Sequence, residues 1–343
     1  MLAAFLRKDR SMGERQLNRF AWFIAAAAGL GASAIACSKE EPPPVSPASI
    51  GQAQIFRFAP PDGTEYTRTD RRTQELAIVG APLRRIDNEV LRWRIGIEQS
   101  GDEYRVNQDL VYISFARDGQ TLAEGEVPEG ISAKLVIDND GNLTAVKGLE
   151  RTAEVLRSLV APGKEADAEQ VITAESLAYL VTSRYRVLFG ETIGRPATPG
   201  SSWTITNPPG SFVASRTVTV AGHEACGAAT CARLQVDFQL DPKVVADTAV
   251  SMVQSSVSAA GGDPSKVTVQ NASYRMSGWM LVEPATMLSH GASLTEGGTV
   301  TVADPAQETI TVEVKGATEL SYSYAEGLTS EQPSRTKSRV AWE

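Results

Sequence analysis

Apolar and polar residues alternate, one for one, along much of the chain. Leu91, Trp93, Ile95 and Ile97 alternate with Arg92, Arg94, Gly96 and Glu98. Leu234, Val236, Phe238 and Leu240 alternate with Arg233, Gln235, Asp237 and Gln239. The same rhythm runs through Ile131 to Ile137, Ile310 to Val314 and Leu320 to Tyr324, while Tyr104 to Phe115 becomes apolar on both faces toward its end. A period of two puts every apolar side chain of a strand on one face, so each segment must be half-buried in a sheet. Asp62-Gly63, Asp118-Gly119 and Asp140-Gly141 separate these runs and supply the left-handed backbone that tight hairpins need. Antiparallel hairpins follow, not parallel crossover units.

Three segments carry a helical period instead. Leu149, Ala153, Leu156 and Val160 share a face of 148–161. Thr173 caps a helix bearing Leu177, Leu180, Val181 and Leu188 that runs to Gly190. Asp241-Pro242 is a cap followed by a first-turn proline, and Val245, Ala249, Met252 and Val253 lie on one face beyond it. The predicted class is mainly β (α+β): a long curved antiparallel sheet, half-barrel-like, with a few helices on its concave face. The body spans 53–330; the Pro/Gly-rich passage 194–200 either separates two subdomains or links two halves of one sheet, and 331–343 is a polar tail or edge strand.

The first 52 residues are an address. Arg15 and Arg19 precede an uncharged stretch from Phe20 to Ile35, which ends in small residues before Cys37. A basic start, an apolar middle and a small-residue end make a secretory signal. Its apolar run is shorter than the ~20 residues of a membrane span. Ala34-Ile35-Ala36-Cys37 resembles the lipobox of bacterial lipoproteins, with Ala34 where that family carries leucine. The resemblance implies cleavage of residues 1–36, acylation of Cys37 and a covalent lipid in place of any cofactor. Counting from Met12 gives a signal of ordinary length, which makes Met12 the expected start. Ser38 after the lipidated cysteine implies the outer membrane, facing the periplasm or the exterior. Residues 37–52, with Pro42-Pro43-Pro44, form an extended tether. Cleavage removes five basic and two acidic residues, so the formal charge falls from −8 to −11. Such a chain is repelled by anionic lipid and by nucleic acid, which leaves acyl chains to hold it on a membrane.

Little in the body reads as chemistry. Cys226 and Cys231, left over in an oxidising compartment, read as a disulfide closing a hairpin loop. With His223 they offer three metal ligands and no fourth, so no metal site is assigned. His290 reads as a loop histidine. Asp138-Asn139-Asp140-Gly141 starts like a calcium loop, but Leu149 stands where the twelfth-position glutamate belongs. Ser334-Arg335-Thr336-Lys337 matches a penicillin-recognising motif by letter alone. Arg68, Arg71, Arg72, Arg84 and Arg85 form a local basic excess, read as a solvated strand face or as a contact for an acidic partner or lipid head group.

The strand-and-helix pattern over 53–330 resembles the half-barrel of periplasmic lipoprotein carriers and mycobacterial lipid-binding lipoproteins. The resemblance is architectural and transfers no functional residue. The expected function is non-enzymatic: an envelope lipoprotein whose curved sheet binds an apolar ligand or an envelope protein partner. Trp93, Ile95, Phe115, Leu180 and Phe238 are the expected liners. The alternatives are an interaction protein with a solid core, and an envelope hydrolase that uses carboxylates.

Overall fold

The computed structural model describes residues 54–80, 84–127, 130–158, 169, 172–207, 209, 211–227, 229–259, 263, 265, 268–303 and 309–324. Cys37, the lipobox, the tether and the Ser334–Lys337 motif lie outside the described residues.

Among the described residues, twelve strands make one antiparallel sheet. They are β1 (Thr64–Ile78), β2 (Arg84–Ser100), β3 (Glu103–Arg117), β4 (Gln120–Glu126), β5 (Ser132–Asp138) and β6 (Leu143–Lys147), then β7 (Ser202–Thr206), β8 (Val213–Cys226), β9 (Ala229–Leu240), β10 (Thr268–Val282), β11 (Ser289–Ala303) and β12 (Thr309–Tyr324). Their order is β6-β5-β3-β2-β1-β12-β11-β10-β9-β8-β7, with β4 paired to β3 beside this path. The first and last described strands, β1 and β12, are therefore neighbours at the middle of the sheet. The sheet is open, with β6 and β7 at its ends. Strands from both sides of 194–200 belong to it, and that passage leads into edge strand β7.

The described helices are α1 (Leu149–Ser158), α2 (Ala174–Tyr185) and α3 (Pro242–Ala259). Each starts where its sequence asks. Thr173 and Ser176 form a reciprocal cap: the Ser176 N–H donates to Thr173 Oγ1 at 3.0 Å and the Thr173 N–H donates to Ser176 Oγ at 3.1 Å. Asp241 accepts from the N–H groups of Lys243 and Val244 at 2.9 and 3.2 Å. The regular α-helix ends at Tyr185, short of the expected Gly190, and residues 186–190 widen into a π turn. There the Arg186 carbonyl accepts from the buried Arg216 guanidinium at 3.1 Å.

Side chains from β2, β3 and β5, from β7 to β11, and from α1 and α2 meet in one buried cluster, so the sheet curls around the two helices. The N-terminal segment runs through this interior. The Phe56 N–H donates to the Arg195 carbonyl at 2.9 Å, and the Gly194 N–H donates back to Phe56 at 2.8 Å. Phe56 packs edge-on against Trp203, and Phe58 against Tyr104 and Tyr185. Gly141 (φ +83°) leaves room for this arrangement, because a Cβ there would lie 2.4 Å from Ile193 Cδ1 and 3.0 Å from Phe58 Cβ. The Tyr185 hydroxyl, aimed at the same turn, donates to the Gly141 carbonyl at 2.7 Å. Asp138, at the start of the false calcium loop, accepts from the N–H groups of Asp140 and Asn142 at 3.0 and 2.8 Å, and so closes a hairpin.

Candidate functional site

Residues opposite one another in adjacent strands share a face, so the register divides the concave face into rows. The lower rows are closed and mostly apolar, except where β1 places Arg68 opposite Trp93 and Asp70 opposite Leu91. Trp93 is 2% exposed and Ile95 is 1% exposed, both inside the packed cluster. Leu91, Leu320, Ala292, Met280, Leu234 and Val220 are buried beside them. Leu180 on α2 and Phe238 on β9 are partly buried against this cluster, while Phe115 is buried one row higher on β3. Trp93 and Ile95 are thus sealed in the packed floor and line no open space, Phe115 and Phe238 stand in the rows above it, and Leu180 packs on it from α2.

Above the floor the face changes character. One row across β3, β2, β1, β12 and β11 reads Phe115, Glu89, Arg72, Thr318, Leu294. The next reads Arg117, Asp87, Gln74, Gly316, Glu296. These rows form a belt of charge where a half-buried sheet would ordinarily be apolar. Arg117 Nε lies 2.7 Å from Asp87, whose other oxygen pairs with Arg85. Arg72 reaches Glu296 at 3.2 Å, and Glu296 also accepts from the Tyr274 hydroxyl at 2.5 Å. Within the floor rows themselves, buried Arg68 pairs with buried Asp70 at 2.7 Å and stacks over Trp93, 5.4 Å from the ring centre.

Gly316 makes the Arg72–Glu296 pair possible. A Cβ at Gly316 would lie 2.2 Å from Glu296 Oε1, so Glu296 crosses β12 in the space its missing side chain leaves. Above the belt stand half-buried aliphatic residues, among them Leu76, Val314 and Val300. On β10, Ala272 and Tyr274 are partly covered while Asn271, Ser273 and Arg275 are exposed, so α3, which packs on β10, lies on the concave side.

Several polar atoms of the belt are buried without a hydrogen-bond partner: Glu89 Oε1, Arg72 Nε and Thr318 Oγ1. They come from three consecutive members of one row. Glu89 is 8% exposed and Thr318 1%. Burial pushes the Glu89 carboxyl up to about 7; Arg72 partly offsets this and Asp70 reinforces it. Burial also raises the Tyr274 hydroxyl, with Glu296 adding to the effect. For Arg68, burial is the largest influence and acts to lower the pKa, but Asp70, Tyr322 and Tyr66 together outweigh it and the net shift is upward.

The basic excess noted in the sequence is split by the period of two. Arg68, Arg72 and Arg85 turn inward to carboxylates, while Arg71 and Arg84 are exposed on the other face. Asp70, Asp87, Glu89, Arg117, Tyr274 and Glu296 were not singled out as site residues. The available signal was a charged residue at every second position of a strand whose other positions set the inner face: Glu89 and Asp87 continue the series Ile97, Ile95, Trp93, Leu91.

Cys226 and Cys231 form a disulfide, with Cα atoms 5.9 Å apart. His290, not His223, approaches it: the ligand atoms of Cys226, Cys231 and His290 lie within 4.8 Å of one another. The two sulfurs are bonded to each other, which leaves no thiolate for a metal. His290 bonds to Glu283 at 2.6 Å and stacks on Tyr324. Burial acts to raise Glu283, but hydrogen bonds from His290 and Thr286 outweigh it and hold the carboxyl below its ordinary range. A solvent-open depression of about 430 Å³ lies at Gly190, Glu191, Ile193, Gly194 and Arg195, beside the Glu191–Arg216 pair at 3.6 Å. Among the described residues no helix is long and apolar enough to cross a membrane.

No family model matches the chain. No curated protein matches it either. Solved structures resemble it in part. Lipovitellin, described for its lipid–protein interactions, aligns over 80% of this chain at 7% identity and a TM-score of 0.36; the chain spans 26% of lipovitellin's length. A protein from Bacteroides fragilis, described as exported and of YmcC-like fold, aligns over 76% of this chain and 97% of its own, at 12% identity and a TM-score of 0.22. A β-barrel-like protein of unknown function from Brucella abortus aligns over 79% and 100%, at 8% identity and a TM-score of 0.18. At these overlaps the likenesses assign no function to the chain.

Proposed function

We propose that this chain is a non-enzymatic lipoprotein of the cell envelope, anchored through acyl chains on Cys37, whose concave sheet face binds an amphipathic molecule. The observation that carries the reading is the layering of that face: a closed apolar floor, a belt of charge, and half-buried aliphatic residues above it. Stability does not account for the belt. Burying charge costs several kcal/mol per ion, and well-packed apolar residues in place of a buried pair are often neutral or stabilising. A molecule with one polar end and one apolar end matches the belt and the aliphatic layer together. The apolar part would gain roughly 25 cal/mol per Å² removed from water.

The filled floor favours a second reading, an interaction protein with a solid core, in which the belt only fixes the register of the central strands. Organic extraction of the membrane-purified protein followed by mass spectrometry separates the two. A stoichiometric amphiphile supports the first. Its absence, together with no uptake of added amphiphile, supports the second. The anchor has its own test: Cys37→Ala should move the protein from the membrane fraction to the soluble one, and unchanged fractionation would refute acylation.

A further inference from the structure

We propose that the polar end of the bound molecule is a single carboxylate, held in the row formed by Glu89, Arg72 and Thr318. This rests on the ligand-binding reading above and specifies its ligand class as a long-chain monocarboxylic acid.

The row supplies the right donors. Arg72 Nε–H and the Thr318 hydroxyl are buried hydrogen-bond donors without an acceptor, and they are direct register partners on β1 and β12. Glu89 faces Arg72 from the other side, on β2, with Oε1 also unpartnered. A carboxylate has two oxygens and about four acceptor sites. It can take the Arg72 and Thr318 protons, and it can share a proton with Glu89 as a carboxylic acid and a carboxylate do when placed together. An ammonium head has no acceptor for the Arg72 and Thr318 protons; an alcohol can accept both but brings no charge to set against the guanidinium.

The charge count agrees. The belt holds four guanidinium groups, Arg68, Arg72, Arg85 and Arg117, and four carboxyl groups, Asp70, Asp87, Glu89 and Glu296. With Glu89 carrying its proton, the belt bears one net positive charge, which a monoanion cancels and a phosphate dianion overshoots. The Arg72 side chain is 22% exposed, but its Nε, like Glu89 Oε1 and Thr318 Oγ1, is buried, so a ligand reaches these atoms only if the row parts. Leu76 and Val314, one row beyond Gln74 and Gly316, give the adjoining chain two aliphatic contacts, with Arg85 beside Leu76 in the same row.

The experiment uses purified full-length protein, titrated calorimetrically with dodecanoate, dodecanol and dodecyl phosphate below their micellar concentrations. Dodecanoate should bind at least about tenfold more tightly than dodecanol, because hydrogen bonds to a charged group are the stronger kind. Thr318→Val keeps the side-chain shape and removes the hydroxyl. It should weaken dodecanoate by about tenfold and leave dodecanol within about twofold. Arg72→Lys, which keeps the charge and loses Nε, should do the same. Equal binding of dodecanoate and dodecanol, a preference for the phosphate, or a preference unchanged in both variants would overturn the carboxylate assignment and leave amphiphile binding standing. Failure of all three probes to bind would overturn the ligand-binding reading itself.

Discussion

Replacing Glu89 with glutamine should make the protein more stable, and only above a definable pH. The carboxyl is 8% exposed, and burial pushes it up to about 7 from an ordinary value of 4.5. Below about pH 4.5 the group is protonated in both folded and unfolded chains, and it makes no difference to stability. Between 4.5 and 7 the unfolded chain ionises while the folded chain holds its proton, so stability falls as pH rises. Above about 7 the folded carboxylate sits ionised, and the accumulated penalty is about 3 kcal/mol. Glutamine keeps the shape and never ionises. Glu89→Gln and the parent should therefore unfold at similar urea concentrations at pH 4.5. They should separate progressively to about 1 M at pH 8, taking a slope near 3 kcal/mol per M. Other titrating groups cancel in the difference between the two proteins. A gap that does not change with pH would refute the reasoning, as would a glutamine variant that is the weaker at pH 8.

Gly298 faces Tyr274 across the β10–β11 pair, and a Cβ there would lie 2.2 Å from the Ser273 carbonyl oxygen. Gly298→Ala should cost about 1–3 kcal/mol in urea unfolding, whereas Gly297→Ala, whose nearest neighbour is 3.7 Å away, should be nearly silent. Cys226→Ser with Cys231→Ser opens a loop of five-residue separation, so the loss should be roughly 2 kcal/mol. A matching drop in melting temperature should follow reduction of the parent protein, and no drop in either would mean the bridge does not constrain the unfolded chain. Trp93→Ala should cost about 3–5 kcal/mol, because the ring is 2% exposed within the packed floor; a loss under 1 kcal/mol would mean the floor is loose.

The alternation in β2, β9 and β12 marks these strands, and Asp118-Gly119 and Asp140-Gly141 mark the β3–β4 and β5–β6 turns, because strand period and turn chemistry are local properties; Asp62-Gly63 turns the chain into β1 and joins no two described strands. The caps at Thr173 and Asp241 are local as well. The belt is not. Glu89, Arg72, Thr318 and Glu296 become neighbours only through a register that joins distant parts of the chain: Arg71 on β1 bonds to Ser321 on β12, 250 positions away. Arg68 to Arg85 looked like a cluster because the residues are close in sequence, but the two-residue period sends Arg71 and Arg84 to the opposite face from Arg68, Arg72 and Arg85. His223 drew attention to the cysteines by proximity in the chain; the histidine that reaches them, His290, arrives from β11.

The pairing of β1 with β12 has a consequence for how the molecule is made. A chain delivered from its N-terminus presents β1 first, already bonded to β2 on one side and bare on the other. That bare side waits until nearly the whole polypeptide has arrived, since its mate is the final strand. Throughout that interval the future centre of the sheet is an adhesive margin, open to any other strand nearby. Removing β12 leaves β1 and β11 without their shared neighbour, and the sheet becomes two half-sheets with no hydrogen-bonded seam.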